Sequence, residues 1–260
     1  MTTLLDDYAL ISPLRNRNNW LKLIIVAFGL LVGVSSTSPV TPLFIALSMS
    51  IATVFLGKTP LKLYLKILTA PLGFAFAGAV VIFFFFGSGS EILSFNIFGY
   101  PFIANSEGIN MATLVVSRTF SGMCCLFFLA FTTPMVELFA VLKKTRLPES
   151  FIELSMLIYR YIFVFLDVAM SIKYAQTIRL GYKDVKSSIY SFSMLVSTLF
   201  LQSWEQGEKL YLAMDSRCYN GKMMMFDAKR PVELSEIITA SLYFIFILTI
   251  FYFTKNISVV

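Results

Sequence analysis

The sequence contains no histidine among its 260 residues. Imidazole is the commonest transition-metal ligand and the usual general base near neutral pH. Its absence removes every Ser–His or Cys–His nucleophile pair. It also weakens any scheme in which this chain holds a transition metal by itself. Cysteine is scarce as well, with three residues, of which Cys124 and Cys125 are neighbours in an apolar run and Cys218 stands alone. Adjacent cysteines on one helix rarely form a structural disulfide, and the spacing fits no zinc site. Met223, Met224 and Met225 offer soft sulfur, but such a run reads first as interfacial packing. Charged residues make up only 14% of the chain, and no carboxylate pair is concentrated in an apolar segment. Gly57-Lys58-Thr59 has the ending of a phosphate-binding loop, but Ala52 stands where the motif needs its first glycine. The expectation is a chain that is not an enzyme, needs no cofactor, ligates no metal and binds no nucleic acid.

What the chain has is hydrophobic length. Residues of apolar type make up 57% of it, which few soluble domains reach. Five apolar runs stand out, at 21–34, 40–56, 67–86, 109–131 and 234–253. Each approaches the length needed to cross a hydrocarbon core about 30 Å thick. The expected fold class is an all-α polytopic membrane helix bundle of about five transmembrane helices. Residues 1–20 are polar and carry two acids before the first base, unlike a cleavable leader. Gly29 and Gly33 form a small-xxx-small pair that permits close helix packing.

Basic residues orient the runs. Arg15, Arg17 and Lys22 precede or open the first, and Lys58, Lys62 and Lys66 follow the second. No Lys or Arg lies between Lys66 and Arg118. A basic region then runs from Lys143 to Arg230. The positive-inside rule places the N-terminus and residues 134–230 in the cytoplasm of a multi-pass plasma-membrane protein. The loop 87–108 then faces outward, as does the C-terminus near Lys255. The expected division is a bundle over 1–133, a cytoplasmic region over 134–230 and a last membrane helix over 231–260. Arg118 is the clearest charge within a membrane run. It either marks a functional site, snorkels outward or pairs with Glu107.

The region 134–230 begins with Thr133-Pro134, an oxygen cap followed by proline at the first helical position. After Pro148 nothing stops a helix from Glu149 to Arg179, a length of about 46 Å. Glu153, Arg160 and Asp167, spaced by sevens, fall on one stripe of it. A second long helix is expected from about Ser187 to Tyr219. Arg179 and Arg217 each fall in a last turn, followed by candidate terminators at Gly181 and Gly221. A cation there gains about 0.3–1 kcal/mol from the helix macrodipole. Two such ends on consecutive long helices, with small neighbours at Ala175, Ala213 and Ser216, read instead as a presented surface.

The stretches "TTPMVELFAVLKKTRLPESFIELSMLIYRYI", "AQTIRLGY" and "AMDSRCYNG", with Leu5 to Arg15 and Lys22 before them, resemble the transmembrane T component of energy-coupling factor (ECF) transporters. The likeness is greatest to the cobalt/nickel type, the CbiQ family, and covers almost the whole chain. The family carries two short arginine motifs, commonly Ala-Arg-Gly-like. Here Ile178 and Leu180 flank Arg179 instead of small residues, and Cys218 follows Arg217 where glycine is usual. The resemblance implies a non-catalytic coupling subunit of an ATP-driven importer for cobalt or nickel. Its long helices would be coupling helices. Its partners would be two ABC-type ATPases, a membrane substrate-binding component and the bilayer. The ATPase-coupling residues it implies are Ala175, Ile178, Arg179, Leu180 and Gly181 on one helix end, and Ala213, Met214, Ser216, Arg217, Cys218 and Gly221 on the other. A vitamin-type T component and a self-sufficient carrier are the alternatives.

Overall fold

The computed structural model describes residues 3–85, 91–97, 100–144, 147–220 and 232–255. By their contacts these fall into two compact units, one of residues 1–138 with 228–260 and the other of residues 139–227.

The first unit is a helical membrane bundle. α1 (Thr3–Ile11) and a 3-10 turn (Pro13–Asn16) lead into α2 (Asn19–Ser35). The side chain of Asn18 starts α2 by accepting from the amide of Trp20 at 2.9 Å, which satisfies an otherwise orphaned donor. α3 (Val40–Ile51) loosens into a π-turn over Ala52–Leu56, α4 spans Leu61–Phe85, α5 Ser106–Thr132 and α9 Leu234–Thr254. Among the described residues, Leu61–Phe84, Ser106–Thr132 and Leu234–Thr254 are long and apolar enough to cross a membrane, and Asn19–Ser35 and Val40–Leu56 are shorter apolar helices. α4 begins six residues before the third apolar run, so Lys62 and Lys66 lie on its first turns and not in a loop.

Side-chain contacts fix the direction of each helix. At one end of the bundle, Lys22 near the start of α2 donates to the last-turn carbonyl of α5, Thr132, at 3.1 Å. At the same end Arg17 binds Glu233 and Glu236 at the start of α9, at 3.0 and 3.2 Å. We call this the basic end. At the opposite end Thr37 donates to Lys255 at 3.0 Å and Thr41 meets Thr254 at 2.7 Å. The chain therefore leaves α5 and re-enters α9 at the same end. α2 packs antiparallel to α5 through its glycines: an added Cβ on Gly29 would sit 3.2 Å from Cys125 Sγ, and one on Gly33 3.0 Å from Ser121 Oγ. Cys124 and Cys125 are free thiols, both fully buried.

Three local features of the sequence take definite form. Arg118 donates from Nε and Nη2 to the carbonyl of Ser36 at 3.2 and 2.6 Å, closing the C-terminus of α2. A cation against the negative end of a helix dipole is a stable arrangement in an apolar setting, so its role here is to join α5 to α2. The segment Gly57-Lys58-Thr59 is the exit of the π-turn. Thr59 Oγ1 donates to Thr53 O at 3.0 Å, and a Cβ on Gly57 would collide with that same oxygen. Glycine is thus needed there for packing and not for phosphate. Lastly, within the loop 87–108, Glu91–Ile97 (β1) and Tyr100–Asn105 (β2) pair antiparallel as a hairpin with Ile97 opposite Tyr100, and β2 packs on α4 and α5.

α6 (Met135–Leu142) starts in the bundle, and the second unit holds two long helices, α7 (Glu149–Ile178) and α8 (Val185–Asp215). Their bounds fall close to those expected from the absence of helix breakers. Of the charged stripe on α7, Glu153 is buried while Arg160 and Asp167 are exposed. Met223 to Met225 lie outside the described residues.

Candidate functional site: two arginine-ended helices

α7 and α8 end in the same way. In each, the amide two residues beyond the arginine bonds back to a carbonyl five residues earlier. Gly181 N reaches Gln176 O at 2.8 Å, and Tyr219 N reaches Met214 O at 3.1 Å. The amide directly after the arginine bonds three residues back, Leu180 N to Thr177 O at 3.0 Å and Cys218 N to Asp215 O at 2.9 Å. This pair of bonds is the Schellman closure, and it places Arg179 and Arg217 at the cap position of their helices.

Such a closure needs a left-handed residue right after the cap. Leu180 has φ 59° and Cys218 has φ 56°. The expected terminators were Gly181 and Gly221. The left-handed residues are instead Leu180 and Cys218, and Gly221 lies outside the described residues. Gly181 has a different duty. A Cβ there would come within 2.6 Å of Ser191 Oγ on α8 and 3.0 Å of Gln176 O, so a side chain is excluded by close approach. A left-handed non-glycine residue costs about 1–2 kcal/mol. Leu180→Gly and Cys218→Gly should therefore each raise the thermal midpoint of the detergent-solubilised protein by a few degrees. An unchanged or lowered midpoint would count against strain at these positions.

Around each arginine the surface is exposed and mostly apolar or small. Ala175, Ile178, Arg179 and Leu180 are exposed on α7, as are Ala213, Ser216, Arg217 and Cys218 on α8, with Met214 and Gly181 partly covered. Ile178 is 83% and Leu180 70% exposed. Among the described residues neither arginine forms an ion pair or a side-chain hydrogen bond. Each end is nevertheless held by its sister helix. At the Arg179 end, Ser191 Oγ donates to Gly181 O at 2.7 Å, Gln176 Nε2 donates to Ser191 O at 2.9 Å, and Tyr182 donates to Gln176 Oε1 at 2.8 Å. At the Arg217 end, Tyr219 Oη donates to Glu153 Oε2 at 2.9 Å. The first joint ties the end of α7 to α8 near its start. The second ties the end of α8 to α7 near its start. The two arginines are thus not brought together: the span from Glu153 to Ile178 along α7 corresponds to roughly 37 Å.

A second polar cluster lies in the membrane unit, at the basic end. Glu137 of α6 accepts from Arg15 Nε at 2.9 Å and from Asn19 Nδ2 at 2.7 Å. Lys22 donates to Asn19 Oδ1 at 2.9 Å as well as to Thr132 O. Asp6 Oδ1 accepts from the amide of Met135 at 3.2 Å. The expected cap of α6, the Thr133 hydroxyl, is buried with no partner among the described residues. An acid from α1 supplies the N-terminal acceptor instead, as the dipole favours. The two stretches that carry the family resemblance, Leu5 to Lys22 and the start of Thr132 to Ile162, are therefore bonded to one another. Sequence reading named both stretches but not their pairing. The signal available was charge: acids at Asp6 and Glu137 opposite bases at Arg15 and Lys22.

The chain is also similar to known proteins over most of its length. Residues 12–227 match the family model of the cobalt transport protein CbiQ. The chain is 45% identical over 251 residues to a putative fused cobalt transport protein CbiMQ of Methanocorpusculum labreanum, covering 95% of this chain and 41% of that one. It thus spans less than half of the fused relative's length. It is 26% identical over 216 residues to cobalt transport protein CbiQ of Salmonella typhimurium, covering 82% of this chain and 93% of the other. With the energy-coupling factor transporter transmembrane protein EcfT of Ruminiclostridium cellulolyticum it shares 30% identity over 180 residues, 65% of this chain and 66% of that one.

The molecule is therefore a helical membrane component of a transport system. More narrowly, it belongs to the CbiQ family and is a CbiQ-like T component of ECF type. Membership in that family favours the T-component reading over a self-sufficient carrier.

Proposed function

We propose that this chain couples two ATP-hydrolysing subunits to a membrane substrate-binding component for cobalt uptake across the cell membrane, and that it carries out no chemistry itself. The supporting observation is the pair of similarly closed helix ends, each presenting on an exposed, mostly apolar surface an arginine that makes no ion pair among the described residues. A guanidinium offers five donors in a planar fork, suited to a carboxylate and backbone carbonyls in a partner's groove. The separation of the two ends along α7 is too large for a single groove, which suits two ATPases with one end seated in each. Metal recognition falls to the substrate-binding component, in keeping with the lack of histidine here. The basic end and residues 139–227 belong to the cytoplasm on this reading, because basic residues crowd that end.

The native cysteines allow a direct test. Cys124 and Cys125 are fully buried, while Cys218 is exposed beside Arg217. A membrane-impermeant maleimide should label Cys218 in inside-out vesicles and leave it unlabelled in intact cells. Assembly with the ATPases should slow that labelling at least ~10-fold. Labelling of Cys218 from outside would reverse the proposed orientation. Equal rates with and without the ATPases would show that this helix end is not their docking point.

A further inference from the structure

The two arginine ends are held by different sets of side-chain bonds. The Arg179 end is locked by three side-chain hydrogen bonds and by a glycine whose replacement would collide with Ser191 and Gln176. Its geometry leaves little room for adjustment. The Arg217 end is attached, among the described residues, through Tyr219. Across from it, Glu153 is 5% exposed, and its carboxylate accepts from the phenol of Tyr219 at 2.9 Å. Tyr219 is the residue whose amide completes the helix closure at Met214 O, two positions beyond Arg217. Its backbone is therefore part of the cap and its side chain is part of the joint. Any movement of Tyr219 is transmitted to Arg217 through a two-residue turn whose dihedrals the closure fixes.

Burying the side chain of Glu153 in a helix that is otherwise exposed or apolar on this stripe is costly unless the charge is hydrogen-bonded. Arg160 and Asp167, one and two repeats along the stripe, stay exposed. Glu153 is the member that the fold draws inward, and Tyr219 is a donor it meets there.

We propose that Glu153 and Tyr219 are positioning residues for Arg217, the phenol–carboxylate hydrogen bond holding the end of α8 against the beginning of α7 so that the guanidinium is presented at a fixed place. This rests on the docking role of Arg217 given above. The hydrogen bond to Glu153 also holds the Tyr219 phenol above its ordinary value. A raised value means that the contribution is complete below the ordinary tyrosine range and is lost as pH rises through the folded value. The joint is thus intact throughout the neutral range.

The test uses the full complex, co-expressed with its ATPases and substrate-binding component. Tyr219→Phe keeps the ring and removes the donor. It should lower ATPase retention about tenfold, as the loss of a hydrogen bond to a charged group can. Glu153→Gln keeps an acceptor oxygen and should retain most of the wild-type level, whereas Glu153→Leu should behave like Tyr219→Phe. Coupling between sites separates positioning from general destabilisation. Combined with Arg217→Ala, Tyr219→Phe should add no further loss, because both act on the same docking end. Combined with Arg179→Ala, its loss should multiply. Raised ATPase expression should restore uptake in Tyr219→Phe. Three results would overturn the proposal: wild-type retention in Tyr219→Phe while Arg217→Ala loses its ATPase, an equal added loss on both arginine backgrounds, or a failure of Glu153→Gln to surpass Glu153→Leu. If Arg217→Ala itself retained its ATPase at wild-type levels, the docking role would fall first and this inference with it.

Discussion

Arg217→Ala is expected to weaken ATPase retention by the purified complex and abolish uptake, while the membrane bundle still folds. Among the described residues the guanidinium makes no ion pair, and it is exposed at a helix cap. In a partner's groove it would become a desolvated, charge-assisted contact, whose truncation costs on the order of 2–5 kcal/mol, or ~30-fold or more in affinity. Arg217→Lys should recover only part of this, since an ammonium cannot reproduce the planar fork. Arg179→Ala should act in the same direction, and the double variant should lose the ATPases altogether. Macrodipole stabilisation alone predicts about 1 kcal/mol or less, with assembly intact. Co-purification of tagged ATPase with each variant, beside a gel-filtration profile of the membrane subunit, decides between them. Normal pull-down and transport in both single variants would make these ends ordinary caps.

The second large effect is expected at Glu137. Its carboxylate is 18% exposed and binds Arg15 and Asn19 together, while Arg15 is itself 40% exposed. Glu137→Ala leaves the Asn19 amide and the Arg15 guanidinium without their acceptor. Water can take over part of the Arg15 side, so the loss should be about 2–3 kcal/mol and not the sum of two charged bonds. That corresponds to a fall of roughly 5–10 °C in thermal midpoint for a chain of this size. Glu137→Gln keeps one acceptor oxygen and should lose about half as much. A midpoint for Glu137→Ala within a degree of wild type would mean that the cluster contributes nothing to holding α6 on α2.

The helical architecture was legible because its causes are local. Apolar length and missing breakers delimit α7 and α8 to within a few residues, and basic residues mark one end of the bundle. The location of Arg179 and Arg217 at helix ends was legible for the same reason. The manner of ending was not. Glycine is the usual left-handed residue, so Gly181 and Gly221 drew attention, yet the chain takes the left-handed turn at Leu180 and Cys218. The Schellman bonds and the fit of Gly181 against Ser191 override the local preference, and neither is visible along the chain. Asp6 capping α6 and Glu153 meeting Tyr219 join residues 129 and 66 positions apart. Only tertiary structure brings such pairs together. The hairpin of β1 and β2 was hidden because an apolar loop between two apolar helices carries no clear alternation.

The end of α5 and the start of α9 lie at the same end of the bundle, the first fastened to the first turn of α2 and the second to Arg17 just before it. Lys22 grips Thr132, and Arg17 grips Glu233 and Glu236. α2 is in turn latched at its far end by Arg118 on the Ser36 carbonyl. Within the membrane unit, α2 is thus a clasped strut, with α5 bonded to it at both ends.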